Sequence, residues 1–345
     1  MRHSRRSFLA AGSLAAGSLA FAPPLLGPAR AAGSSFAEFT ERSEKSIRRG
    51  FEWLMKTYNR DGGCGVDIGT FSDISCSAAV GLALLSDGNS PIDGPRTDMV
   101  KKTVGYLIDA VRESRFRISL DTQVKADLCG YADHHFAALL LSQVLGQDRE
   151  IKQIQEALTK LVDEIGNGQS PQGHWGQGRY PQLAAVTGWC SLRAAHFAGV
   201  KVTGSIDTTA KFLHSQMQHS GRGAGNVFNT AAGIRVLYAL EMEGEEVARR
   251  TFDEALKTAK SYFPRFNQFG GEQYLAFQYI NEAMLQTGGD YWQQWFPVVR
   301  DKLIDVQNAD GSWLGHSCIV SRTFCTACAL LVLTSPNRYL PISQV

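Results

Sequence analysis

After its first 31 residues the chain has no apolar run approaching the roughly 20 residues that a bilayer-spanning helix needs. The body of the protein therefore reads as soluble. It also lacks a charge excess. Without Arg2, Arg5, Arg6 and Arg30, the 35 basic residues become 31 against 33 acidic ones, a net of −2. That balance gives no reason to expect nucleic acid or an anionic membrane surface as partner. A disulfide framework is missing too. The seven cysteines, Cys64, Cys76, Cys129, Cys190, Cys318, Cys325 and Cys328, are odd in number and irregular in spacing, and a body of about 310 residues buries enough surface to need no staples. Cys76, Cys190, Cys325 and Cys328 fall in runs of small residues, where cysteine serves as a small hydrophobe.

The first 31 residues are of a different kind. Ser4-Arg5-Arg6-Ser7-Phe8-Leu9 resembles the twin-arginine export consensus, and the Gly/Ala-rich apolar run from Phe8 to Leu26 is followed by Ala29-Arg30-Ala31, a small-x-small cleavage site. Gly12, Gly17 and Pro23-Pro24 interrupt the run, which makes it a poor membrane anchor. Residues 1–31 are thus expected to be a signal peptide, and the mature protein to be exported, folded, to the periplasm or beyond.

What the body does have is repetition: a polar helix, a Gly/Trp turn, then a helix rich in Ala, Gly and Cys. The clearest copy is Gln307-Asn308-Ala309-Asp310-Gly311-Ser312-Trp313, followed by the small-residue run Thr323 to Leu331. Asp-Gly is a turn pair, because glycine takes positive φ freely and aspartate bonds its own backbone. Gln307 can place its amide against the Trp313 ring and against free backbone groups at helix ends. Gln169 to Trp175 repeats the frame, with Gln172 in place of Asp310.

Six helix pairs follow from this pattern. Phe39 to Thr57 leads through Tyr58 to Cys64 into Cys76 to Leu85. Asp98 to Glu113 pairs with Ala132 to Val144, Ile151 to Ile165 with Val186 to Ala195, Ile206 to Gln218 with Thr230 to Leu240, and Val247 to Tyr262 with Tyr274 to Leu285. The last pair is built around Gln307 to Trp313. Trp175 and Trp313 stand 138 residues apart across three units, a period of 46, which is the length of a helical hairpin with its loops.

The frame Gln-x-x-Asp-Gly-Ser-Trp resembles the repeat motif of the squalene-cyclase and protein-prenyltransferase superfamily. The resemblance implies an all-α fold, an (α/α)6 toroid built from six helical hairpins, as one domain over residues 36–340. The rival, a straight solenoid, would show a long exposed stripe of charge on its concave face. Ring closure removes the open ends that a solenoid must cap. The small-residue helices should line the inside, and the helices carrying Glu41, Lys45, Arg48, Arg49, Lys101, Lys102, Arg249 and Arg250 should face water.

In such a ring the residues just before each inner helix surround one mouth. They are Asp73 and Ser75; Tyr131, Asp133 and His134; Gln182 and Thr187; Asn226 and Asn229; Glu272, Gln273 and Tyr274; and His316, Arg322 and Thr323. Helix capping alone accounts for Asp73, Ser75, Asp133, Asn229 and Thr323. Tyr131, His134, Glu272, His316 and Arg322 are not cap types, so with Asp73 and Asp133 they form the candidate binding set. Arg322 should lie near Asp73 through ring closure.

The known chemistries of the family find few of their residues here. Asp127-Leu128-Cys129-Gly130-Tyr131 resembles the Asp-x-Cys-Tyr segment that supplies two zinc ligands in prenyltransferase β subunits, but Thr187-Gly188 stands where the third ligand, a histidine, belongs. The Asp-x-Asp-Asp acid of class II cyclases and the Asp-Asp-x-x-Asp cluster of class I enzymes are absent. Gly63-Cys64-Gly65 resembles a complement-type thioester segment, with Asp67 where glutamine is required. Cys325-x-x-Cys328 reads as a redox pair or as two small wall residues. No metal and no cofactor is expected. The sequence reading is a toroid that binds an apolar small molecule or a glycan in its central cavity. The alternative is a periplasmic lyase or hydrolase acting on polysaccharide or isoprenoid material with Asp133, His134 and Glu272 as acid or base.

Overall fold

The computed structural model describes residues 37–117, 123–147, 151–176, 178–219, 227–228, 231, 235, 245–316 and 318–341. The export signal over 1–31, Asn226, Asn229 and most of the inner helix expected from Thr230 to Leu240 lie outside them. The helices are α1 (Glu41–Leu54), α2 (Ile74–Ser86), α3 (Thr97–Arg112), the short α4 (Gln123–Asp127), α5 (Ala132–Val144), α6 (Ile151–Gly168), α7 (Pro181–Phe197), α8 (Ile206–His219), α9 (Glu245–Ser261), α10 (Gly271–Thr287), α11 (Gly289–Asp305) and α12 (Arg322–Thr334). Between α1 and α2 a small antiparallel hairpin sets β1 (Cys64–Gly65) against β2 (Ser72–Asp73), with Cys64 opposite Asp73 and Gly65 opposite Ser72.

The two helix classes differ in how they meet water. In α1 the residues Ile47, Gly50, Phe51 and Leu54 are buried while Glu41, Arg42, Glu44, Lys45 and Arg48 are exposed, the one-sided pattern of a surface helix. Thr40 and Ser43 cap it reciprocally, at 2.8 and 3.1 Å. By contrast every residue of α2 and of α5 is buried, so these helices have no polar face and use small side chains to approach their neighbours. Around the inside, α2 packs on α5, α5 on α7, α10 on α12, and α12 back on α2. The architecture is an all-α toroid.

Three turns explain the repeat. Asn59, Ser170 and Asn308 each donate a backbone N–H to the carbonyl four residues on, at 2.8, 2.8 and 2.9 Å. Gly62, Gly173 and Gly311 take φ of 88°, 93° and 98°. A Cβ there would stand 2.7 Å from Lys102 O, 2.6 Å from Thr208 O and 2.5 Å from Arg49 O. In each case the clash is with the outer helix of the next unit, so glycine is demanded both by the positive φ and by the close approach. The glutamine serves the same joint. Gln169 bonds Ser205 and Thr209 of the next unit at 2.7 to 2.9 Å. Gln307 donates to Ser46 O and Gly311 O and accepts from Ser46 Oγ, all at 2.9 Å. It thus reaches backbone as expected, that of its own turn and that of the first unit, and so closes the ring. Arg42 with Asp305 at 2.6 Å and Arg49 with the carbonyls of Asn308 and Ala309 at 3.0 and 2.6 Å reinforce the same seam.

Two tryptophans finish their outer helices, α6 and α11. Trp175 Nε1 donates to Ile165 O at 2.7 Å and Trp313 Nε1 to Leu303 O at 2.8 Å, each ten residues back, satisfying a carbonyl in the last turns of the helix. Deeper in the ring the described inner helices touch directly. Phe136 of α5 meets Phe324 of α12 edge to face at 5.4 Å, and the Thr187 hydroxyl of α7 bonds that of Tyr279 on α10 at 2.7 Å. Among the described residues no helix is long and apolar enough to cross a membrane.

Candidate functional site

The mouth is built where β2 runs into α2. Asp73 ends the strand and caps the helix, its Oδ1 accepting from Cys76 N at 2.7 Å. On the next inner helix Asp133 is buried, 6% exposed, and accepts from Ser75 Oγ at 2.7 Å while Lys125 Nζ lies 3.9 Å from its other oxygen. Neither Asp133 nor Ser75 is the cap that the sequence suggested: Tyr131 occupies the N-cap position of α5, and the two side chains bond each other across the α2–α5 joint. Burial first, then the Asp73 carboxylate, push Asp133 above the usual carboxylate range, against the pull of Ser75 and Lys125.

A second polar cluster lies at the start of α10. Glu272, in the first turn of α10, is fully buried; its Oε2 accepts from Ile319 N at 3.1 Å and its Oε1 lies 3.5 Å from the Tyr180 hydroxyl. That hydroxyl lies 3.0 Å from Cys318 Sγ, to which Arg179 Nη1 also donates, at 2.6 Å. Arg179 Nε stands 4.0 Å from Asp127, whose carboxyl is raised by burial and by the Glu272 charge against the pull of Arg179. Burial and Cys318 push the Tyr180 hydroxyl up as well, so it stays a donor. Lys125 and Asp127, in the middle and at the end of the same short helix, link the two clusters.

The remaining candidates point elsewhere. His134 turns outward to α6, where its Nε2 lies 3.0 Å from Glu164, with its ring between Phe116 and Tyr131 at 4.7 and 5.2 Å. Burial lowers its pKa, opposed by Glu164. His316 is exposed, and its backbone N–H is held by Phe269 O at 2.9 Å. Arg322 pairs with Asp310, Ser312 (2.7 Å) and Asp67 (3.5 Å) and lies over Trp53 at 4.8 Å. Its acidic partners are thus Asp67 and Asp310 and not the Asp73 that the sequence suggested. Ser321, not Thr323, caps α12, and Gln273 holds the Gly270 N–H at 2.6 Å before α10. Thr187 sits inside the ring, and Gln182 falls in the first turn of α7. Cys129 is buried with its thiol pushed up to about 12, and burial raises Cys325 and Cys328 strongly, which removes the activated-thiol reading of that pair.

Tyr180 and Arg179 escaped the sequence reading because α7 was expected to begin at Val186. Pro181 occupies its first turn, a position that proline favours. That signal places the mouth residues of the third unit just before residue 181.

No protein-family model matches the sequence, and no curated protein sequence does. Solved structures do match. The GH76A alpha-1,6-mannanase from Salegentibacter sp. HEL1_6 is 12% identical with a TM-score of 0.56, over 86% of this chain and 99% of that one. An inactive variant of that enzyme in complex with alpha-1,6-mannotriose is similar at 12% identity and TM-score 0.55, over 86% and 99%. The type II terpene cyclase MstE from Scytonema is similar at 14% identity and TM-score 0.50, over 87% and 99%. The likeness is one of fold. Both kinds of enzyme are α/α toroids, and at these identities the shared feature is the ring.

Proposed function

We propose that this protein is an exported toroid hydrolase that takes a glycan at the polar mouth of its ring, with Asp133 as proton donor. The observation that carries the reading is the burial of Asp133 beside Asp73, which favours its protonated form, with Glu272, Tyr180 and Arg179 in the polar cluster linked to it through the α4 segment. A glycan suits this opening better than an isoprenoid. The mouth offers carboxylates, hydroxyls and a guanidinium, whereas the described interior beneath it is filled by contacts such as Phe136 with Phe324 and Thr187 with Tyr279. In this reading Asp133 protonates the leaving oxygen of a glycosidic bond, and Glu272 takes the proton of the water that attacks the anomeric carbon. His134 is left out of the chemistry because it is engaged with Glu164. The cleaved, exported form after Ala31 is the one that would meet such a polymer.

The test is a panel of mannans, glucans and xylans incubated with the mature protein, reading new reducing ends. Asp133→Asn should lower turnover on the order of 100-fold or more, the usual worth of a general acid, with the melting temperature kept. Turnover equal to wild type in that variant would exclude Asp133 as the acid. Retention of a glycan without any turnover would instead favour a binding toroid.

A further inference from the structure

We propose that the hairpin between α1 and α2 is a stacking lip for the sugar chain, with Phe71 as the ring that receives it; this rests on the glycan reading above. Phe71 is 93% exposed and Ile68 46%, yet the loop that carries them is tied down throughout. Asn59 Nδ2 donates to Thr70 O at 2.8 Å and to Ser72 Oγ at 3.0 Å, and Ser72 Oγ donates to Asp61 at 2.7 Å. Thr70 Oγ1 donates to Asp67 O at 2.8 Å and accepts from Asp67 N at 3.1 Å. On the other side Ser321 Oγ and Thr323 N both donate to Val66 O, at 2.9 and 3.2 Å. The loop folds back so closely on Gly65 that a Cβ there would stand 2.2 Å from Thr70 Oγ1 and 2.5 Å from its carbonyl. An aromatic side chain on such a backbone is pre-organised, so a ligand that covers it has little ordering to offset.

Position, more than exposure, carries the inference. Ser72 turns its side chain towards Asp61 and Asn59 in the turn that precedes β1. In an extended chain neighbours face opposite ways, so Phe71, the residue before β2, is in register with Asp73, the ring exposed (93%) and the carboxylate buried (4%). Two residues along a strand span about 6–7 Å, the scale of one pyranose ring. A sugar resting on Phe71 is therefore about one unit along the chain from Asp73. The surroundings also select the ligand class. The charged side chains of the turn and hairpin are Arg60, Asp61, Asp67 and Asp73, an acidic excess beside the hydroxyls of Thr70 and Ser72, and Arg322 reaches Asp67 at 3.5 Å. Such a lip suits the apolar face and hydroxyl edge of a neutral sugar and disfavours an anionic lipid surface.

The experiment measures binding of manno-, gluco- and xylo-oligosaccharides, and of phosphatidylcholine/phosphatidylglycerol vesicles, to the mature protein and to Phe71→Ala, Phe71→Tyr and Asp133→Asn. Phe71→Ala should weaken oligosaccharide binding on the order of tenfold, Phe71→Tyr should restore it, and Asp133→Asn should bind within a few fold of wild type while failing to turn over. Melting temperature should be the same in Phe71→Ala, since the side chain is not packed. Equal oligosaccharide binding by wild type and Phe71→Ala overturns the lip and leaves the mouth reading standing. Absence of any oligosaccharide binding by the wild type overturns both. Vesicle binding that depends on Phe71, with no sugar dependence, overturns the lip in favour of a lipid contact.

Discussion

Replacing Trp313 by alanine and by phenylalanine separates two roles of the residue that the repeat is named by. The indole is fully buried, and its N–H satisfies Leu303 O at 2.8 Å. Leu303 needs that donor, because the N–H four residues on, Gln307, bonds Ile304 O at 3.3 Å instead. Trp313→Ala removes the ring and leaves both a cavity and an orphan carbonyl, so it should cost about 3–5 kcal/mol. Trp313→Phe keeps most of the apolar volume and loses the donor, and should cost about 1–3 kcal/mol, the range for a buried acceptor left unpaired. Urea unfolding followed by far-ultraviolet circular dichroism gives both values from the shift in midpoint at constant slope. Trp189 supplies the control: it is equally buried, but its Nε1 has no hydrogen-bond partner among the described residues. Trp189→Phe should therefore cost less than Trp313→Phe. A loss under about 1 kcal/mol in Trp313→Ala, the scale of surface changes, would refute the account of the turn.

Gln307→Ala removes the clamp between the sixth and first units and should destabilise by about 1–3 kcal/mol, read in the same urea assay; an unchanged midpoint would mean that the ring closes without it. His135 is fully buried, neither ring nitrogen has a hydrogen-bond partner among the described residues, and burial drops its pKa to about 3. The folded state therefore binds fewer protons than the unfolded one between pH 6.5 and about 3. Its contribution to stability is full above pH 6.5 and is lost by about 1.4 kcal/mol per unit as the pH falls through that window. His135→Phe should flatten this slope in melting curves, and an identical slope would exclude His135 as its source. Replacing Arg5 and Arg6 together by lysine should leave uncleaved precursor in the cytoplasm, detected by the size and location of the protein, whereas normal maturation would remove the export proposal.

The parts of the molecule that could be read from the sequence are those where one residue type answers one backbone demand. Gly311 and Gly62 were visible because a positive-φ turn admits little else, and the 46-residue period followed from Trp175 and Trp313. Residue direction around a helix was less visible. Asp133 and His134 are neighbours at the start of α5, and the sequence put both at the mouth. A step of one residue turns a helix by about 100°, so Asp133 meets Ser75 of α2 while His134 meets Glu164 of α6. Pairing was equally hidden where it is made by loops. Arg322 finds Asp310 in the turn just before it and Asp67 from the first unit, and Cys318 gains Arg179 and Tyr180 from the third, none of which periodicity encodes. Of the seven candidates, Asp73, Asp133 and Glu272 thus lie in the two polar clusters, and Tyr131, His134, His316 and Arg322 lie outside them.

The most direct check on the mouth as an acid–base site is the pH titration of the Asp133 carboxyl carbon by nuclear magnetic resonance, in the wild type and in Asp73→Asn. The account predicts an Asp133 pKa above its ordinary 3.8 in the wild type, moving down when the neighbouring charge is removed. A wild-type value at or below 3.8 would contradict it, as would a value that does not respond to the loss of the Asp73 charge.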